Sequence, residues 1–385
     1  DSRGPLVLLG LPIPIPPTLT VFSESESFVQ ELRAVSQGDG PFRWVVGDIY
    51  QDARNLEDIV VSFGPPISAV SEFDSKSWAL FGEASIGLFN DTLRPLVGLR
   101  YFKDERSFFT RSRAPVLGTP TSRDAVFDSI SPRFNLSWTP NEDINLYVNV
   151  AKGFRSGTFN NAAAVQVGGG SVGFEVDPDQ IWSYEVGGKI NLIGNSLYLE
   201  ATAYYLDWSD IQLNYTVAGG VQIIRNAGDV EGKGVELVLN WRPTRGLNFN
   251  ASANLNQTEF VRLVNPAVFA ATPHIRVGRQ VASVPDKTLN LGATYQQPIG
   301  LGGADIFLSA QYSYIAEQAD VGDPLGRFGS DHNLLRARVG LQWDNFGIHL
   351  FGENLLEDKD PIIVSGSGSS RYYPRVIGVE VSFDF

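Results

Sequence analysis

Three histidines, His274, His332 and His349, are the only imidazoles that could bind a metal or move a proton. They stand far apart, with no His-Glu-x-x-His spacing. Cysteine is absent, which removes disulfides, thiolate metal sites and cysteine nucleophiles. Gly168, Gly170 and Gly173 satisfy the glycine count of a dinucleotide loop. That chemistry needs a strand before and a helix after, and these glycines sit inside a loop. Asp177 with Asp179, and Asp320 with Asp323, could offer oxygens to Ca²⁺, although loop acids are more often simply solvated. No Ser/His/Asp or paired-carboxylate arrangement stands out, so no catalytic residue, metal ligand or cofactor is assigned. The residues suited to holding a ligand fall into three groups. Phe154, Arg155, Phe159, Asn160 and Asn161 form the first, Trp208 and Tyr215 the second, and His274, Arg276 and Arg279 the third. They lie in or beside long connections, where selectivity usually resides. Packing of aromatics within the loops is the blander explanation, and it ranks ahead.

The elements that must position these groups follow a period of two. In 246–256, Leu247, Phe249, Ala251, Ala253 and Leu255 alternate with Asn248, Asn250, Ser252, Asn254 and Asn256. Such alternation describes a strand with one apolar and one wet face. Leu197, Leu199, Ala201, Ala203 and Tyr205 repeat it, as do Ile377, Val379, Val381, Phe383 and Phe385. The pattern predicts fifteen strands, near 27–36, 42–51, 76–88, 93–106, 127–139, 144–155, 180–192, 196–213, 229–242, 247–260, 283–297, 304–317, 332–343, 346–356 and 371–385. Short turns alternate with long connections, the latter near 52–75, 107–126, 156–179, 214–228, 261–282, 318–331 and 357–370. A soluble β-sandwich has short strands and no such alternation. Long strands, tight turns at one end and long loops at the other fit an all-β, transmembrane antiparallel β-barrel, in which every backbone polar group is paired within the lipid. Trp78, Trp138, Trp208, Trp241 and Trp343 fall toward strand ends, where aromatic girdles belong.

Acids outnumber bases 43 to 30, so no basic surplus favours a nucleic-acid partner. Residues 4–22 are uncharged, but Pro5, Pro12, Pro14, Pro16 and Pro17 forbid a spanning helix. Residues 1–26 are expected to be an extended, proline-rich linker, and residues 27–385 the C-terminal part of a barrel. Fifteen is an odd count, whereas bacterial single-chain barrels are usually even, so at least one further strand is expected.

The run Ser131-Pro132-Arg133-Phe134-Asn135-Leu136-Ser137-Trp138, with Asn145-Leu146-Tyr147 and Lys152-Gly153-Phe154-Arg155-Ser156-Gly157 after it, resembles TonB-dependent outer-membrane receptors. Tyr184-Glu185-Val186-Gly187-Gly188-Lys189 and Asn226-Ala227-Gly228-Asp229 with Gly232-Lys233-Gly234-Val235-Glu236 look like successive strands of that family. Glu353-Asn354-Leu355-Leu356-Glu357-Asp358-Lys359 and Tyr373-Pro374-Arg375 resemble its last segments. The resemblance covers about residues 27–385 and rests on the order of the motifs rather than on any one of them.

The resemblance implies a 22-stranded barrel around an N-terminal plug, of which this chain would supply fifteen strands and no plug. It implies import of a scarce large ligand, most commonly a ferric siderophore, at the outer membrane of a Gram-negative bacterium. Expected partners are outer-membrane lipid and lipopolysaccharide, the TonB-ExbB-ExbD complex acting through the absent plug, a siderophore-like small ligand, and the barrel-assembly machinery. The last would read Phe383 and Phe385 as a sorting signal. The rival readings are a passive sixteen-stranded porin and a surface-exposed β adhesin. Glu185, Glu200, Glu236, Lys189, Arg100 and Arg133 fall on expected lumen faces, where a solvated charge ladder explains them.

Overall fold

A computed structural model of the chain describes residues 7–8, 11–12 and 18–383, apart from 39, 63–65, 113–119, 168–171, 217–221, 265–268, 270–271, 301, 321–322, 324 and 366–367. One continuous sheet holds fifteen strands in chain order, every neighbouring pair antiparallel. They are β1 (Thr18–Val35), β2 (Phe42–Ser62), β3 (Pro66–Ile86), β4 (Leu93–Ser112), β5 (Thr121–Asn141), β6 (Ile144–Arg155), β7 (Asp179–Leu192) and β8 (Leu197–Ser209). There follow β9 (Gly228–Thr244), β10 (Leu247–Leu263), β11 (Lys287–Pro298), β12 (Asp305–Ile315), β13 (His332–Gln342), β14 (Phe346–Glu353) and β15 (Val376–Phe383). Each expected strand overlaps one of these. No described helix is long and apolar enough to cross a membrane.

The alternation of short and long connections holds, with two differences. The long connections expected at 52–75 and 107–126 are mostly strand, because β2, β3, β4 and β5 each run 20 or 21 residues. Their outer halves carry charges on one face, such as Asp52 beside Lys76 at 3.9 Å, so the apolar/polar alternation fades while pairing continues. β1 also begins at Thr18, so the last part of the expected linker is strand. At the other extreme β13, β14 and β15 have only 11, 8 and 8 residues.

Register sorts the side chains into two faces. Leu199, Leu239, Ala251 and Leu291 lie side by side on one row, as do Leu197, Trp241, Phe249 and Ala293. Val379 and Val381 on the same face are at least half exposed, as a lipid-facing surface requires. Asp48 breaks the pattern: it stands on this outer face between Leu32 and Leu80. The opposite face is polar and internally bonded. The Tyr147 hydroxyl lies 2.8 Å from that of Thr202, Tyr198 donates to Glu200 at 2.6 Å, Lys189 sits 3.3 Å from Glu200, and Arg133 sits 3.2 Å from Glu83. These contacts fit the expected lumen ladder. Tight turns close the strands at one end. Gly246 has φ 76°, and an added Cβ would lie 1.9 Å from the Gln296 carbonyl oxygen, so glycine is needed there.

Candidate functional site

A buried hydrophobic cluster sits at the long-connection end, on the inner face. It joins Val230 of β9 and Phe260 of β10 to loop residues Ala164, Val172, Ile211, Leu213, Ile223, Ala227, Phe269 and Ile275. Short elements build it. Gln212–Thr216 pairs with Gln222–Asn226, Thr158–Phe159 pairs with Glu175–Val176, and a short helix spans Ala162–Val167. The loops therefore have a core of their own, which fixes their shape without a ligand.

Arg155, at the end of β6, stands at its margin. Its guanidinium grips Asp179 with Nε 3.0 Å from each carboxylate oxygen and with Nη2 on Oδ2. Nη2 also donates to the Gln212 carbonyl at 2.9 Å. The same guanidinium lies 5.0 Å from the Trp208 ring centre, a cation–π arrangement. Asp179 is 2% exposed and also accepts from the Gln212 N–H at 2.8 Å. The structure thus brings together Arg155 of the first sequence group and Trp208 of the second. Trp208 is not an interface tryptophan: its register opposite Val230 turns it to the inner face and the loop core. Trp78, Trp138 and Trp241 do face outward.

Phe154 packs on Phe102 at 5.0 Å and Phe159 on Phe108 at 5.7 Å, and Phe159 is 3% exposed. Asn160 is buried, donates to the Gly173 and Ile224 carbonyls at 3.0 and 2.9 Å, and accepts from the Ile224 N–H. Asn161 caps the short helix by accepting from the Ala164 N–H at 2.8 Å. For Phe159, Asn160 and Asn161 the packing explanation is the observed one. The Tyr215 backbone pairs with Ile223, and its side chain lies outside the described residues. His274 is buried edge-on against Phe328 at 5.0 Å, whereas Arg276 and Arg279 are exposed beside it. Ile275 ties this third group to the shared core.

The loop acids are used internally. Asp179 holds Arg155. Asp323 is clasped by Arg327, whose Nη2 lies 2.7 Å from Oδ1, and this bond holds the carboxyl below its usual pKa. That engagement removes the calcium reading, and among the described residues no group of three His, Asp or Glu is placed to hold a metal. Gly168 and Gly170 lie outside the described residues. Sequence reasoning missed two buried networks. Asp104, 1% exposed, accepts from Ser75, Ser156 and the Arg106 Nε at 2.7, 2.6 and 2.6 Å. His332 Nδ1 lies 3.1 Å from Asp358, which also accepts from the Asn333 N–H. Burial works to raise the Asp358 pKa, but the Asn333 N–H and the His332 ring outweigh it and hold the carboxyl low. The shared face of Asp104 and Arg106, two apart on one strand, was the only available signal for the first. Phe383 is exposed and packs on Phe346 at 5.1 Å, while Phe385 lies outside the described residues.

The fold and sequence have known counterparts. The family described as "TonB dependent receptor-like, beta-barrel" matches residues 12–355. Pesticin receptors of Yersinia enterocolitica and Yersinia pestis are 24% identical over 245 residues, which is 60% of this chain and 34% of theirs. The chain thus spans about a third of the length that those relatives have. Among solved structures, the ferric yersiniabactin uptake receptor FyuA of Yersinia pestis superposes with a TM-score of 0.80 at 18% identity, over 96% of this chain and 55% of that one. The siderophore receptor PiuA of Acinetobacter baumannii gives 0.73 at 17% identity, over 94% and 56%. At such identities the superpositions establish the fold.

Proposed function

The chain belongs to the TonB-dependent receptor-like β-barrel family, whose members are outer-membrane receptors and transporters of Gram-negative bacteria, and on that premise we propose that it forms wall and loops of a receptor importing a ferric siderophore. The carrying observation is the loop core at the long-connection end, which presents Arg155 and Trp208 at its margin and Arg276 and Arg279 on its surface. A preformed, cationic and aromatic face suits a rigid chelate whose outer surface is oxygen-rich and anionic. On this reading Phe154, Arg155, Trp208, Tyr215, His274, Arg276 and Arg279 shape the ligand site. Arg276 and Arg279 touch cargo, and Phe159 and Asn160 hold the loops beneath it. The barrel portion begins with β1 at Thr18, inside the segment 1–26 expected to be a linker. Energy would come from the TonB-ExbB-ExbD complex through a plug supplied outside this chain. Phe383 and Phe385 would address the barrel-assembly machinery, and outer-membrane lipid and lipopolysaccharide would surround the apolar face.

The test is uptake of radioiron by cells carrying the intact receptor, offered as catecholate, hydroxamate and mixed phenolate chelates. One chelate class should be taken up, only with TonB present, and the double variant Arg276→Ala/Arg279→Ala should weaken its binding about tenfold or more, the loss of two charge-assisted contacts. Diffusion of small solutes that persists without TonB would favour a porin instead.

A further inference from the structure

Two loops at the long-connection end are fastened to each other around a buried histidine. The loop after β10 and the loop between β12 and β13 meet where Ser283 donates to the Ala319 carbonyl from its N–H at 2.9 Å and its hydroxyl at 3.3 Å. Ala319 is bridged to Phe328, whose ring stands at 89° to that of His274. Gly326 approaches so closely that an added Cβ would lie 2.8 Å from Pro273 and 3.8 Å from His274 Nε2. His274 is 4% exposed, its ring is hydrogen-bonded to the Arg327 backbone, and Nε2 has no hydrogen-bond partner. We propose that His274 is an acid-sensitive latch, whose neutral ring holds the two loops together and whose protonation releases them.

The argument rests on what a proton would meet. A charged imidazolium needs acceptors at both nitrogens, and Nε2 faces none. The charged groups around the ring are Asp323 and Asp320 on the opposing loop and Arg279 on its own. Asp323 cannot turn to the ring without cost, because the Arg327 Nη2, Nε and N–H hold it at 2.7, 3.2 and 2.7 Å. Arg279 repels the charge. Burial is the largest influence and pushes the ring's pKa down. The sign follows. The open state binds the proton more tightly than the closed one. The closed state is therefore fully favoured above the ordinary histidine value of about 6.5 and loses ground as pH falls below it. Opening frees Ile275, the neighbour of His274, to leave the loop core.

The test is hydrogen–deuterium exchange on the intact receptor in micelles, at about pH 7.5 and about pH 5.0, corrected for intrinsic exchange. In the wild type, segments 272–286 and 325–331 should exchange severalfold faster at the lower pH, with a midpoint below about 6.5. His274→Gln should remove that difference. Should the glutamine variant be loose at both pH values, His274→Phe, which keeps a ring against Phe328 and cannot titrate, must be closed at both. Unchanged protection in the wild type, a midpoint above the ordinary histidine value, or a pH response surviving in His274→Phe would each overturn the latch.

Discussion

Arg155 is engaged through Nε and Nη2 before any ligand arrives. Asp179 and the Gln212 carbonyl take its Nε and Nη2, and the Trp208 ring lies against it, so its first task is to pin β6 to the loop hairpin. Removing it strands the carboxylate of Asp179, a residue only 2% exposed. Arg155→Ala should therefore destabilise the folded receptor by ~1–3 kcal/mol in a urea titration. The double variant Arg155→Ala/Asp179→Asn should recover part of that loss, and equal stability of wild type and Arg155→Ala would refute the assignment. Asp48 makes the opposite case. A carboxylate on the lipid face between Leu32 and Leu80 gains nothing from its neighbours, so Asp48→Leu should stabilise by up to ~2 kcal/mol. The sequence marked Arg155 and Trp208 by type, but not their meeting. It could not show that Phe159 and Asn160 are buried, because which side of a loop faces inward is decided by a core that the loop builds with distant segments.

Strands were legible where one face meets lipid and the other water. The rows through Leu199, Leu239 and Ala251 therefore fell where alternation put them. The extended ends of β2 to β5 were not legible, because above the membrane both faces can carry polar groups and period two disappears. The pairing of Gln212–Thr216 with Gln222–Asn226 was missed for a related reason: its apolar members are too few to show a period. Two substitutions test the elements themselves. Phe249→Arg puts a charge in the apolar row and should cost ~2–4 kcal/mol, whereas Asn250→Arg on the wet face should cost little. Equal losses in a folding titration would refute the face assignment. Gly246→Ala meets both a positive φ and the Gln296 carbonyl, so it should destabilise the β9–β10 turn by more than ~1 kcal/mol, with slower barrel folding as the readout.

At the scale of the molecule, β1 and β15 stand at the two edges of the described sheet. An edge in lipid leaves backbone groups without partners, at several kcal/mol each. This 385-residue chain, refolded alone into micelles, should therefore give no heat-modifiable band on a gel, and a band with steady single-channel conductance would speak for the porin. The wall is also uneven. β2, β3 and β5 have 21 residues each, about 70 Å of strand, while β14 and β15 have 8 each, about 26 Å. The tight turns share one end, so the difference emerges at the other. A body drifting sideways along the cell surface meets a parapet on one flank and a low sill on the other. The described wall thus has a tall flank at β2 to β5 and a low one at β13 to β15.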